Sequence, residues 1–164
     1  MVSTGDGQSD YHWEPGGIAP AAQTRLTSPY ELAVDAKDIL YVFDTGNRSS
    51  SNGRVGSIDL LDKTLSEPLI TPLPPMGVPR FVTGFDVDDS GNVFVFSSGS
   101  VLMFDSDGSG TTIAGGGGTR FSGNGEPAGG VFMGRFANIA LDPEGNVWVA
   151  DSSSRRVHVL EPVP

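Results

Sequence analysis

The chain has 164 residues, room for one ordinary domain. Its 10 Lys and Arg against 20 Asp and Glu give a formal net charge of -10. That excess argues against a surface that neutralises nucleic-acid phosphates or anionic lipid headgroups. With no cysteine, disulfides, thiolate metal sites and cysteine nucleophiles are excluded, and no run of about 18 apolar residues is present to span a membrane.

The first 25 residues lack a basic head followed by an apolar stretch, so no signal peptide is expected there. Residues 19–26 are the best helical candidate, but they are short and flanked by Pro and Gly, too little for a helix on its own. From residue 26 onward the chain repeats. Leu32-Ala33-Val34-Asp35 is followed by Ile39-Leu40-Tyr41-Val42-Phe43-Asp44. Phe85-Asp86-Val87-Asp88 is followed by Gly91-Asn92-Val93-Phe94-Val95-Phe96. Ile139-Ala140-Leu141-Asp142 is followed by Gly145-Asn146-Val147-Trp148-Val149-Ala150-Asp151. Asp35, Asp88 and Asp142 stand 53 and 54 residues apart, and so do Val42, Val95 and Val149. Two independent columns share one period.

Each unit reads as a short apolar strand ending at Asp, a polar turn, and a second strand of β-branched and aromatic residues. A third alternating run follows at residues 54–59, 101–105 and 156–160, and a weaker fourth at 69–71 and 111–114. Four antiparallel strands at a period near 50 residues is the pattern of a β-propeller blade. The expected fold is therefore all-β, one unit over residues 1–164, with blades at 26–71, 79–114 and 133–161.

The third unit carries a longer signature. Gly115-Gly116-Gly117-Gly118 leads through Phe121-Ser122-Gly123-Asn124-Gly125-Glu126-Pro127 to Met133, Phe136, Asp142, Asp151 and Arg155-Arg156-Val157. This resembles the NHL-repeat propeller family, as does the first unit through Leu26, Pro29, Asp35 and Asp44-Thr45-Gly46-Asn47-Arg48. The second unit departs most, with Ser97-Ser98-Gly99-Ser100 in place of the Asp-to-Arg stretch. The resemblance implies a six-bladed ring, of which this chain supplies three blades. Residues 1–7 sit where a fourth strand and its Gly-rich loop belong, and the chain stops after the third strand of its third blade. The expectation is a homodimer closed by strand exchange, or alternatively a portion of a longer propeller or an arc capped by another protein.

Function is expected on the face carrying the long loops. It collects Tyr11, His12, Trp13, Arg48, Arg120, Phe121, Asn124 and Arg155, aromatic and Arg residues suited to contact. The reading is a non-catalytic binding or assembly module for a protein, peptide or glycan. The alternative is a hydrolase or lyase with a metal ion in the central channel, where Glu31, Asp86 and Asn138 lie near the ends of the inner strands.

Asp86, Asp88 and Ser90, with Gly91, partly match a calcium loop but lack its acidic twelfth position, where Ser97 stands. Asp, Ser and Gly are also what a tight turn requires, so no cofactor is expected and calcium is the one candidate. The two histidines, His12 and His158, are too few for a zinc centre in one chain. His158 alternates with Val157 and Val159, an arrangement expected to turn it outward. Asp44 with Arg48, and Asp151 with Arg155, are expected to form structural pairs. Few Lys and abundant Gly, Ser and Thr favour an extracellular or periplasmic location.

Overall fold

The structure, a computed structural model, describes residues 19–20, 26, 28–45, 53–60, 69–72, 81–116, 124–125 and 127–161. The proposed exchanged segment, residues 1–7, lies outside the described residues. The chain divides into two compact units, Met1–Arg80 with Ser106–Ser109, and Phe81–Asp105 with Gly110–Pro164.

The first unit holds one antiparallel sheet. Strands β1 (Ala19–Pro20), β2 (Pro29–Val34), β3 (Ile39–Asp44), β4 (Arg54–Asp59) and β5 (Leu69–Pro72) lie in the order β1-β5-β4-β3-β2. The two residues of β1, placed by sequence in a helical candidate, instead pair with Ile70 and Leu69. Proline donates no backbone hydrogen bond and is tolerated at such an edge. Val42 and Ile58 form a small buried cluster on this sheet, with Leu26 and Leu40 packed against it.

The second unit holds two antiparallel sheets. Strands β6 (Gly84–Val87), β7 (Val93–Ser97), β8 (Ser100–Phe104) and β9 (Gly110–Gly115) follow one another in chain order. Strands β10 (Ala137–Leu141), β11 (Val147–Asp151) and β12 (Arg156–Leu160) form the third sheet. The fold is thus all-β: the described residues form three open antiparallel sheets and one 3-10 turn at Ala128–Gly130. Two of the sheets carry the four strands expected of each repeat. The third carries three among the described residues.

Every residue of β7 is buried, which is why it reads as an unbroken apolar run rather than an alternating one. One of its faces, with Phe94 and Phe96, joins Val101 and Ala114 in packing on Ala137, Ile139, Val147 and Val149 of the third sheet. Met133 and Val131, on the segment entering β10, complete this core. The sheets meet at their first strands. Thr83 donates through Oγ1 to the Ala137 carbonyl at 2.9 Å, and Asp86 Oδ2 accepts from the Leu141 N–H at 2.7 Å.

Gly84 permits this approach. A Cβ there would lie 2.8 Å from the Ile139 nitrogen and 3.1 Å from the Asn138 Cα, both backbone atoms that cannot swing aside. Gly84→Val is expected to cost about 2–3 kcal/mol by forcing the sheets apart. Gly129→Ala, where an added Cβ meets nothing within 4 Å, is expected to stay within about 0.5 kcal/mol of the parent. Urea denaturation of both variants checks the pair.

Candidate functional site

Each sheet has two ends, and carboxylates work differently at each. At one end the first two strands turn through a motif that occurs three times. Asp35 Oδ1 accepts the N–H groups of Lys37 and Ile39 at 2.9 and 2.8 Å. Asp88 Oδ1 accepts from Ser90 and Asn92, both at 2.9 Å, and Asp142 Oδ1 from Glu144 and Asn146 at 3.1 and 2.9 Å. The same three Asp residues close the turn with their backbone, donating to Ile39, Asn92 and Asn146 carbonyls.

The fourth position of this turn has positive φ in all three copies: 59° at Asp38, 82° at Gly91 and 84° at Gly145. A side chain there is crowded, and only glycine takes the conformation without cost. Asp38→Gly is therefore expected to raise stability by a few tenths to about 1 kcal/mol, net of glycine's greater freedom in the unfolded chain. Thermal unfolding checks this, and a lowered midpoint would show that Asp38 makes a compensating bond.

Asp142 has two further partners on Oδ2: the Asn146 Nδ2 at 2.9 Å and the Trp148 Nε1 at 2.8 Å. The Trp148 and Asn146 side-chain bonds, opposed by partial desolvation and aided by the backbone donors, hold its carboxyl below the usual carboxylate range. Asp88 Oδ2 makes the matching bond to Asn92 Nδ2 at 2.7 Å.

At the opposite end, the last residue of each second strand ties down the segment that enters its own sheet. Asp44 Oδ1 accepts the Ser28 N–H at 2.9 Å. Ser97 Oγ donates to the Phe81 carbonyl at 2.9 Å. Asp151 Oδ2 accepts the Gly134 N–H at 2.7 Å, and its Oδ1 accepts from Ser153 and Ser154, both at 3.0 Å. These residues are buried. The expected Asp151–Arg155 pair is not formed. Backbone N–H groups satisfy the carboxylate, while Arg155 is exposed on the turn at a φ of 59°. Arg48 lies outside the described residues.

His158 is the other correction. It is buried, whereas Val157 and Val159 are exposed, the reverse of the orientation read from the sequence. Its Nε2 lies 3.7 Å from Asp151 Oδ2.

Of the residues placed on the ligand-binding face, Asn124 and Arg155 are described and both are exposed. Tyr11, His12, Trp13, Arg48, Arg120 and Phe121 lie outside the described residues. Arg155 sits beside an end at which several segments converge. A Cβ on Gly99, in the two-residue β7–β8 turn, would lie 2.9 Å from the Met133 carbonyl, and one on Gly134 would meet Ser153. The segment entering β10 therefore runs between the β7–β8 and β11–β12 turns.

The calcium candidates divide. Asp88 and the Ser90 backbone belong to the repeated turn, whereas Asp86 bonds across to Leu141 and, through Oδ1, to its own neighbour Val87. Among the described residues no three His, Asp or Glu side chains gather as a metal site, and no helix is long and apolar enough to cross a membrane. Of the inner-strand polar residues, Asn138 Oδ1 accepts from the Ile139 N–H at 2.8 Å, and Glu31 is half-buried. Trp148, which sequence reasoning passed over, was detectable only by its place beside Asp142 in the turn.

No protein-family model matches the chain, and no curated protein matches it.

Asp151 ties pH to stability. Burial pushes its carboxyl upward, but the donors from Gly134, Ser154 and Ser153 outweigh burial and hold it below the ordinary value. A depressed carboxyl stabilises the fold above the unfolded value near pH 4 and loses that contribution as pH falls through the folded value. Stability is expected to drop on acidification below about pH 4, with a shallower drop in Asp151→Asn. At neutral pH, Asp151→Ala is expected to cost about 2–4 kcal/mol, because the buried Gly134 N–H loses its acceptor. Urea titrations at several pH values check both.

Proposed function

We propose that the chain is a run of three β-propeller blades of NHL-like type, acting as a non-catalytic binding or assembly module. The observation that carries this reading is the packing of the second sheet on the third, first strand to first strand, by residues that share one repeat position after another. Blades in a ring meet in this way, face to face around a common axis. The threefold recurrence of the Asp turn supports the same reading, since it makes each sheet one copy of a single structural unit.

The binding role is supported by how the carboxylates are engaged. Asp35, Asp88, Asp142 and Asp151 hold backbone N–H groups in place, and Asp86 bridges two sheets. They are structural ties. What remains for a ligand is the loop end, where Asn124 and Arg155 are exposed and to which Tyr11, His12, Trp13, Arg48, Arg120 and Phe121 are assigned. Aromatic and Arg side chains on loops of a rigid scaffold suit a peptide, protein or glycan surface.

Immobilised peptide and glycan arrays probed with the intact chain test this role. Retention on a defined class is expected, reduced at least tenfold in Trp13→Ala and Arg155→Ala with unchanged circular dichroism. Turnover of a substrate that a chelator abolishes would overturn it in favour of a metal-dependent enzyme.

A further inference from the structure

The second sheet's packed face has a counterpart in the third sheet that is left in water. By register, Phe96 pairs with Val101 and Phe94 with Met103, while Ala150 pairs with Val157 and Trp148 with Val159. Trp148, Ala150, Val157 and Val159 therefore occupy the places of Phe94, Phe96, Val101 and Met103. The latter four lie in or against the core shared with the third sheet. The former are open, with Trp148 44%, Val157 68% and Val159 43% exposed.

The complementary half of this contact also recurs. In the second unit it is supplied by Ile139, Leu141, Val147 and Val149, with Met133 alongside. Two periods back, the matching positions in the first sheet are Leu32, Val34, Leu40 and Val42, with Leu26 in the place of Met133. Leu32 is 62% and Val34 52% exposed. The chain thus carries one donating face and one receiving face of an interface whose geometry it already makes once within itself.

We infer that a second copy of this chain covers both, with Trp148, Val157 and Val159 of each copy seated on the Leu32 and Val34 strand of the other. The inference rests on the blade reading above. Two copies make the contact twice, so the surface removed from water doubles. They also bring six blades together, within the four to eight at which propellers close, whereas three copies would exceed it. The named contact residues are uncharged, so the contact is apolar and not charge-driven. The net charge of -10 on each copy opposes it. Added salt screens that repulsion, so association tightens as ionic strength rises, the opposite of binding to a basic partner.

Light scattering on the intact chain is expected to give twice 17.1 kDa, with the dimer favoured by raising salt from about 20 to about 300 mM. Val157→Glu and Leu32→Glu are each expected to weaken association at least tenfold. Both side chains are exposed, so urea midpoints measured below the concentration at which the parent dimerises should hold. Mixing the two variants should recover a dimer through the one interface that neither disrupts. In Trp13→Phe, where Trp148 is the sole tryptophan, emission should shift to the blue as concentration passes through the dimer range.

A 17.1 kDa particle at about 100 µM, a dimer indifferent to both Glu variants, or association weakened by salt would overturn the inference. Each would leave the blade reading intact so long as Gly84→Val remains destabilising. A well-tolerated Gly84→Val would instead remove the blade reading, and this inference with it.

Discussion

A carboxylate that accepts the backbone N–H groups two and four residues further on sets the geometry of this protein. The bond from Asp35, Asp88 and Asp142 fixes where the first strand of each sheet stops and in which register the second strand returns. Register matters more in a sheet than almost anything local, because a slip of one residue exchanges its two faces. With register held at one end by Asp, and the entry segment held at the other by Asp44, Ser97 or Asp151, each sheet presents a defined pair of apolar faces. The packing of the second sheet on the third depends on that definition.

This division of labour turns several carboxylates of an acidic chain, among them Asp35, Asp44, Asp88, Asp142 and Asp151, onto backbone N–H groups. A carboxylate accepts from several N–H groups at once, and charge-assisted bonds of this kind are stronger than neutral ones. In a chain of short strands, with 23 Gly and 12 Pro, such bonds supply the local order that helices would obtain from their own backbone. The consequence is that acid reaches the scaffold as well as the surface.

The strands, their pairing and the turns were legible because their signals are local and repeat. An apolar run that ends in Asp and resumes after a turn needs no distant partner to be recognised. The faces were not legible. In β7 both are apolar, so alternation says nothing. In β12 the alternation is present but inverted, with His158 inside and Val157 and Val159 outside. The strand at Ala19–Pro20 was not legible for another reason: two residues held by pairing with β5 leave no periodicity to read. The Asp151–Arg155 pair failed because backbone N–H groups one turn away compete for the same oxygens at no loss of side-chain entropy.

The inverted alternation of β12 follows from the repeat. One face of β12, with His158, is buried in its own unit, and the other, with Val157 and Val159, stands in the register places of Val101 and Met103 on β8. Where the sheet before it offers a wide apolar surface, the inner face can carry a histidine close to Asp151. The outer face keeps its valines and Trp148. Monomeric proteins seldom leave contiguous apolar surface of this kind in water. Holding Trp148 upright through its bond to Asp142 removes rotamer freedom that docking would otherwise have to remove. An anchor fixed in advance by a turn residue is what an interface built from a repeated unit requires, because the same Asp that sets the register of the strand also sets the direction of the side chain that leaves it.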